Sequence, residues 1–338
     1  MTYQHGKPAV THERGITIEK LIEMLGYMRP SGSRAARTFG RKFLQPVFGK
    51  PDAAGNYTLR IGDAPRVMFA AHYDTVHRKG GTQTVQIERS MVTLHKGSKS
   101  NCLGADCTTG IWLILRMIEA RVPGFYAVFA DEEIGCVGSR DFVDNRADEL
   151  EGIEFVLSFD RTGFGSVITH QSGYRTASDE FAESLEAILG MGFKADSGGS
   201  FTDSNEFAHI IPECSNISVG YFNQHTPKES QCLDHAEELA ERLIKADWSR
   251  LRAARDPGKE ESLGGWREML RGDEDRLRRI VRDHPDAVAA LLADCGYSEL
   301  DILDYVDRGT ADDPRGVPYV DFDPDTGLTV RDLFEDWR

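Results

Sequence analysis

Two imidazoles and five carboxylates recur along this sequence in a pattern that could hold metal ions. His72 and Asp74 stand one residue apart in RVMFAAHYD. On an extended strand they would share a face, because strand side chains alternate. Asp106 follows in LGADCTTG, Glu132 and Glu133 in ADEE, Asp160 at the end of IEFVLSFD, and His225 in GYFNQHTPKE. Singly, each has a bland reading: acids are common in loops, and a histidine at a strand end can simply face water. Together they suit a pair of divalent ions. Imidazole combined with carboxylate favours zinc, with cobalt or manganese as substitutes. Two ions roughly 3.5–4 Å apart need a bridging carboxylate to offset their repulsion. They also need terminal ligands on each side. Two histidines and three carboxylates meet that demand, and a remaining glutamate could serve as a base on metal-activated water.

Short apolar runs precede most of these residues, so strands must carry them. GNYTLRIG and RVMFAAHYD read as neighbouring strands, TVQIERSMVTLHKG as a hairpin, and GFYAVFA, IEFVLSFD, FGSVITHQ and CSNISVGY as further strands. Helical spacing appears over Ile16–Met28, Ser33–Phe48 and Cys107–Ala120, in VGSRDFVDN and SDEFAESLEAILGMG, and over His235–Arg255. This alternation predicts an α/β fold: a three-layer α/β/α sandwich around a mixed, mostly parallel sheet. In such sheets, sites gather at the carboxyl ends of the strands, which is where these residues fall.

Composition narrows the classes. The chain has 338 residues, 40% of them hydrophobic, and a net charge of −15. That acidity argues against a nucleic-acid partner, which would need basic surface. The N-terminal stretch lacks the apolar core of a signal peptide, and no apolar run reaches membrane-spanning length. The six cysteines form no CxxC pair, which fits a reducing, cytoplasmic setting. Sequon-like matches at Asn56 and Asn216 are read as chance. No HExxH, GxSxG or GxxxxGK[ST] motif occurs. The expected organisation is a catalytic domain over 1–256 and an acidic, helical accessory region over 257–338. Residues 299–338 carry 12 acids against 4 bases, and this region is the candidate for homo-oligomer or partner contacts.

The order HxD, LGAD, DEE, an aspartate ending a strand, then HTPKE resembles the co-catalytic di-zinc exopeptidase superfamily over about residues 60–250. The resemblance implies that His72 and Asp160 bind one zinc ion, Glu133 and His225 the other, and that Asp106 bridges them. It implies that Asp74 orients His72 through its far nitrogen. Glu132 would be the general base, passing a proton from the attacking water to the leaving amine. The intervals His72–Asp106 and Asp160–His225 leave no room for the inserted domains of some branches, so the chain looks most like the compact zinc aminopeptidases. The implied substrate is a small peptide or amide. GGSFTDSNEF, Gly198 to Phe207, is similar to a loop lining the substrate side in such enzymes; Thr202-Asp203-Ser204 could equally be a helix start.

One departure stands out. Many members follow the bridging aspartate with a second acid, where this chain has Cys107, and whether it keeps their cis peptide there is left open. Cys107 as an extra ligand is the subordinate reading. Cys102 and Cys136 read as small packing residues, and His77, His95, His170 and His209 as structural or surface residues. Two alternatives to an aminopeptidase remain: an amidase or deacylase using the same site, and a non-enzymatic binding module.

Overall fold

The computed structural model describes residues 15–259 and, beyond them, Val281, Pro285 and Val288 as helical positions. The chain divides into two units, residues 1–264 and 265–338; every element named below belongs to the first. The accessory region expected over 257–338 falls almost wholly outside the described residues.

The principal strands are β1 (Tyr57–Ile61), β2 (Val67–His72), β3 (Gly124–Phe129), β4 (Phe155–Arg161), β5 (Ser166–Ile168), β6 (Lys194–Asp196) and β7 (Glu213–Ser218). They form one sheet in the order β6-β5-β7-β4-β2-β3-β1. Its pairings are parallel except for β1 with β3 and the single contact of β7 with β5. The main helices are α1 (Ile18–Leu25), α2 (Ala105–Glu119), α3 (Val137–Arg146), α4 (Asp179–Leu189) and α5 (Leu233–Lys245).

Strand alternation sorts the core into two layers. Val67, Phe69 and Ala71 of β2 join one apolar cluster with Leu21 of α1, Ile111 of α2, Leu185 of α4 and Leu239 of α5. Met68 and Ala70 face the other way, joining Phe142 of α3 and Phe207. Helices therefore cover both faces, which explains why both strands are buried at every position and why β2 is apolar up to Ala71, with His72 as its polar end. The expected three-layer sandwich is the observed one. A smaller antiparallel sheet combines the predicted hairpin, Val85–Glu88 with Met91–Leu94, with Ser230–Cys232 and Tyr221–Phe222.

Several boundaries differ from the sequence reading. GNYTLRIG and RVMFAAHYD are not neighbours: β3 lies between them, taking β1 antiparallel on one edge and β2 parallel on the other. The helix expected over 16–28 stops at Leu25, and Tyr27–Met28 instead pairs with Gly81–Thr82. The span 33–48 breaks into Arg34–Phe39, a π-helical turn at Gly40–Leu44 and Gln45–Phe48. Pro46 lacks the amide a continuous helix would use. A side chain at Gly40 would come within 2.7 Å of the Tyr57 hydroxyl. The last long helix ends at Lys245, after which Trp248 packs edge-on against Phe69 at 4.8 Å.

Candidate metal centre

Register brings the polar residues together. His72 lies level with Phe129 across β2 and β3, and Ala70 lies level with Ser158 across β2 and β4. Two residues further along each chain, the second register sets Asp160 beside His72. The carboxyl ends of the three central strands thus deliver His72, the Glu132-Glu133 loop and Asp160 to one spot. The His72 Nε2 atom is 3.2 Å from Asp106 Oδ1, 3.5 Å from Asp160 Oδ1 and 3.8 Å from Glu132 Oε2. On the other side, His225 Nε2 is 3.2 Å from Asp106 Oδ2 and 3.3 Å from Glu133 Oε2. The two oxygens of Asp106 face the two histidines separately.

Asp74 is buried and touches more than His72. Its Oδ1 is 3.5 Å from His72 Nδ1, while its own backbone carbonyl is closer to that nitrogen, at 3.2 Å. Its carboxylate accepts the amides of Glu132 (3.0 Å) and Glu133 (3.1 Å) and the Ser31 hydroxyl (2.6 Å). Asp74 therefore ties the first histidine to the glutamate pair. With carbonyl and carboxylate both facing Nδ1, the proton belongs there and Nε2 is free to bind a cation.

Asp106 is the second residue of α2, with non-helical backbone angles there, and the Asp106–Cys107 peptide is cis. Cys107 is fully buried and its thiol donates to the Phe159 carbonyl at 3.1 Å. His72, Cys107 and Asp160 each present a potential ligand atom within 4.8 Å of one another. The segment bearing Asp106 is held by Glu229, the last residue of HTPKE. Its Oε2 accepts the amides of Leu103 (2.8 Å) and Gly104 (2.9 Å), and its Oε1 those of Ala105 (2.8 Å) and Asp106 (3.2 Å). Burial, then the charge of Asp106, push the Glu229 carboxyl up to about 7 against these hydrogen bonds. The sequence reading gave Glu229 no role. Its signal was only an acid four residues beyond His225, after a turn of exposed residues.

The donor set fits divalent cations. Asp160 Oδ1 and Glu133 Oε1 are buried without a hydrogen-bond partner, and such orphaned carboxylate oxygens are costly unless something charged meets them. Burial, followed by neighbouring carboxylates, holds Asp160 up to about 7 and Glu132 well above its ordinary value. Burial also works against ionisation of Asp106, but hydrogen bonds from His225 and His72 overcome it and keep that carboxyl low. Contacts with Asp106 and Glu133 raise His225 to about 11. Excess negative charge in a cleft of about 100 Å³ is what bound cations would relieve.

GGSFTDSNEF divides into two parts. Ser200 and Phe201 line the cleft, while Asp203–Glu206 forms a short helix. Thr202 donates to Asp160 Oδ2 at 2.8 Å, and Ser139 donates to Asp203 Oδ1 at 2.6 Å. Burial raises the Asp203 carboxyl to about 8.

His77 stays apart from the cluster, as expected. The Cys102 carbonyl at 3.1 Å can only accept, so Nε2 carries the proton, and Nδ1 accepts from the Thr75 hydroxyl at 2.6 Å. Burial, then the charge of Arg29, lower its pKa from 6.5 to about 4. A histidine depressed in this way contributes stability above its unfolded value, and that stability is lost as pH falls from about 6.5 towards 4. The loss amounts to up to about 3 kcal/mol. Denaturant unfolding across this window should show a smaller acid-side drop in His77→Gln than in the parent; equal drops would remove His77 as the cause.

Comparison with known proteins bears on the family and the fold. Residues 56–208 match the model of Peptidase family M28. No curated protein matches the sequence. The fold is similar to that of aminopeptidase PepT from Bacillus cereus, at 15% identity and a TM-score of 0.51, covering 68% of this chain and 98% of that one. It is also similar to the Pyrococcus horikoshii TET1 peptidase, at 12% identity and a TM-score of 0.50, covering 68% and 100%. A Staphylococcus aureus tripeptidase is alike at 12% identity and a TM-score of 0.50, covering 68% and 97%. At these identities the likeness is one of fold. The α/β fold class and the exopeptidase-superfamily resemblance drawn from the sequence are borne out, and the family match supports a metallopeptidase.

Proposed function

We propose, from the match of residues 56–208 to the model of Peptidase family M28, that the chain is a di-zinc aminopeptidase that removes N-terminal residues from small peptides. One observation carries this reading: Asp106 presents its two oxygens to two different histidines, each at 3.2 Å. That is the arrangement a carboxylate needs to bridge two cations. His72 and Asp160 would hold one ion, Glu133 and His225 the other. Such ions supply Lewis acidity and a water of lowered pKa.

The chain's own groups do the rest. Glu132 lines the cleft with its carboxyl 3.8 Å from His72 Nε2 and outside the His225–Glu133 contact. It accepts the proton of the attacking water and returns it to the departing amine. Asp74 holds His72 in orientation and anchors the backbone on which Glu132 and Glu133 sit. Burial of Asp106 and Asp160 keeps bulk water from competing for their oxygens. Like the TET1 peptidase, which can assemble into a tetrahedron or a large octahedral shell, this chain is proposed to form a homo-oligomer. No helix among the described residues is long and apolar enough to cross a membrane.

Chelation followed by metal return tests the reading. Treatment with EDTA should abolish hydrolysis of aminoacyl-anilides, and zinc or cobalt should restore it at two ions per chain. A preparation that binds no ion would overturn the proposal. Hydrolysis of N-acyl amino acids without that of aminoacyl-anilides would instead assign the site to a deacylase.

A further inference from the structure

Four carboxylates, those of Asp106, Glu132, Glu133 and Asp160, line the cleft together with neutral residues such as Thr162, Asn216 and Tyr221. Among the described residues lining it, Arg161 alone carries a permanent positive charge. It ends β4, directly after Asp160. Its Nη2 donates to the Gly198 carbonyl at 3.1 Å, which holds the guanidinium at the base of the segment that brings Ser200 and Phe201 to the cleft. Its Nε is buried without a hydrogen-bond partner.

Asp196 is the nearest counter-charge, and it is a loose one. Its Oδ2 is 3.5 Å from Arg161 Nη2 and already accepts the Ser166 hydroxyl at 2.7 Å, while its Oδ1 accepts the Gly198 amide at 2.8 Å. A guanidinium offers five donors in a planar fork suited to a carboxylate. Here only Nη2 is hydrogen-bonded within the protein. Two divalent ions would balance the four cleft carboxylates, leaving Arg161 as positive charge in the cleft lining.

We infer that Arg161 is a specificity residue that recognises a carboxylate on the substrate close to the scissile bond. This rests on the hydrolase reading of the cleft. Two parts of a short peptide could supply such a group: the C-terminal carboxylate of a dipeptide, or an acidic side chain on the N-terminal residue. Both present the same chemistry to the fork.

The experiment compares matched substrates on the zinc-loaded protein and on Arg161→Met and Arg161→Lys. Leu-Gly against Leu-Gly-amide reports the C-terminal carboxylate. Glutamyl-anilide against glutaminyl-anilide reports the side chain. In the parent, one pair should favour the charged member by about tenfold or more in kcat/KM, as a charge-assisted pair in a partly buried site supplies. Arg161→Met should collapse that ratio towards one, mainly through KM, and Arg161→Lys should restore part of it. A parent that favours the charged member in neither pair overturns the inference. So does a variant in which both members of the favoured pair fall equally, since that marks Arg161 as a support for the 196–198 turn.

Calorimetric binding of leucine against leucinamide, and of glutamate γ-methyl ester against glutamate, provides a readout without turnover. If no peptide or anilide is hydrolysed but Arg161→Met abolishes a preference for the free carboxylate, the aminopeptidase reading fails and the recognition role stands. Absence of that preference, with or without hydrolysis, removes the role.

Discussion

Replacing Glu132 by alanine should lower kcat by roughly 10²- to 10⁴-fold, the span that general acid–base groups contribute, while two metal ions stay bound. The physical reason lies in how two adjacent glutamates are parted. Asp74 accepts both of their amides, at 3.0 and 3.1 Å, which fixes the backbone of the pair. From that shared base Glu133 reaches His225 at 3.3 Å. Glu132 turns to the His72 side and into the cleft, with Cys136 Sγ 3.7 Å from its other oxygen. Removing Glu133 should therefore empty a metal position, whereas removing Glu132 should leave the ligands in place and take away the proton carrier. Metal content and turnover, measured on both variants, separate the roles. Full activity in Glu132→Ala would sink the mechanism, and metal loss from it would recast Glu132 as a ligand.

Glu229→Gln should weaken metal binding and lower stability together. The carboxylate accepts four backbone amides at once, from Leu103 to Asp106, and is 1% exposed. A glutamine side chain accepts through one oxygen only and turns two donors towards the other pair of amides. Each buried donor left unpaired costs about 1–3 kcal/mol. The cost falls on the segment that aims Asp106, whose two oxygens serve both histidines, so affinity for both ions should drop. Competition with a zinc chelator and thermal unfolding would read the two effects. Glu229→Asp keeps two acceptor oxygens on a shorter arm and should lie between. Parental metal affinity in Glu229→Gln would show that the Asp106 segment holds its shape without the clamp.

Much of the centre was legible in the chain because its chemistry sits at predictable places. An apolar run that must be a buried strand ends, and the next polar residue falls at the sheet's carboxyl edge. His72 after VMFAA and Asp160 after FVLSF follow that logic, and Glu132 and Glu133 stand just beyond Asp131, the first polar residue after GFYAVFA. The two-layer core was equally readable, since alternation and helical spacing are local properties. Errors occurred where contact overrode local pattern. Pro46 and the Tyr57 ring over Gly40 interrupted an otherwise helical span, and Trp248 left the last helix for Phe69.

By itself, the sequence determined which side chains could bind cations and that strand ends would carry them, because residue type and hydrophobic period need no distant partner. Tertiary structure alone decided which oxygen faces which histidine, that β3 separates β1 from β2, and that Asp74 serves the glutamate pair as well as His72. It alone made Glu229 a buried clamp and set Arg161 beside the acids. Those facts depend on contacts between residues far apart in the chain, such as the 123 positions between Asp106 and Glu229. Only the packed sheet and its loops bring such residues within hydrogen-bonding distance.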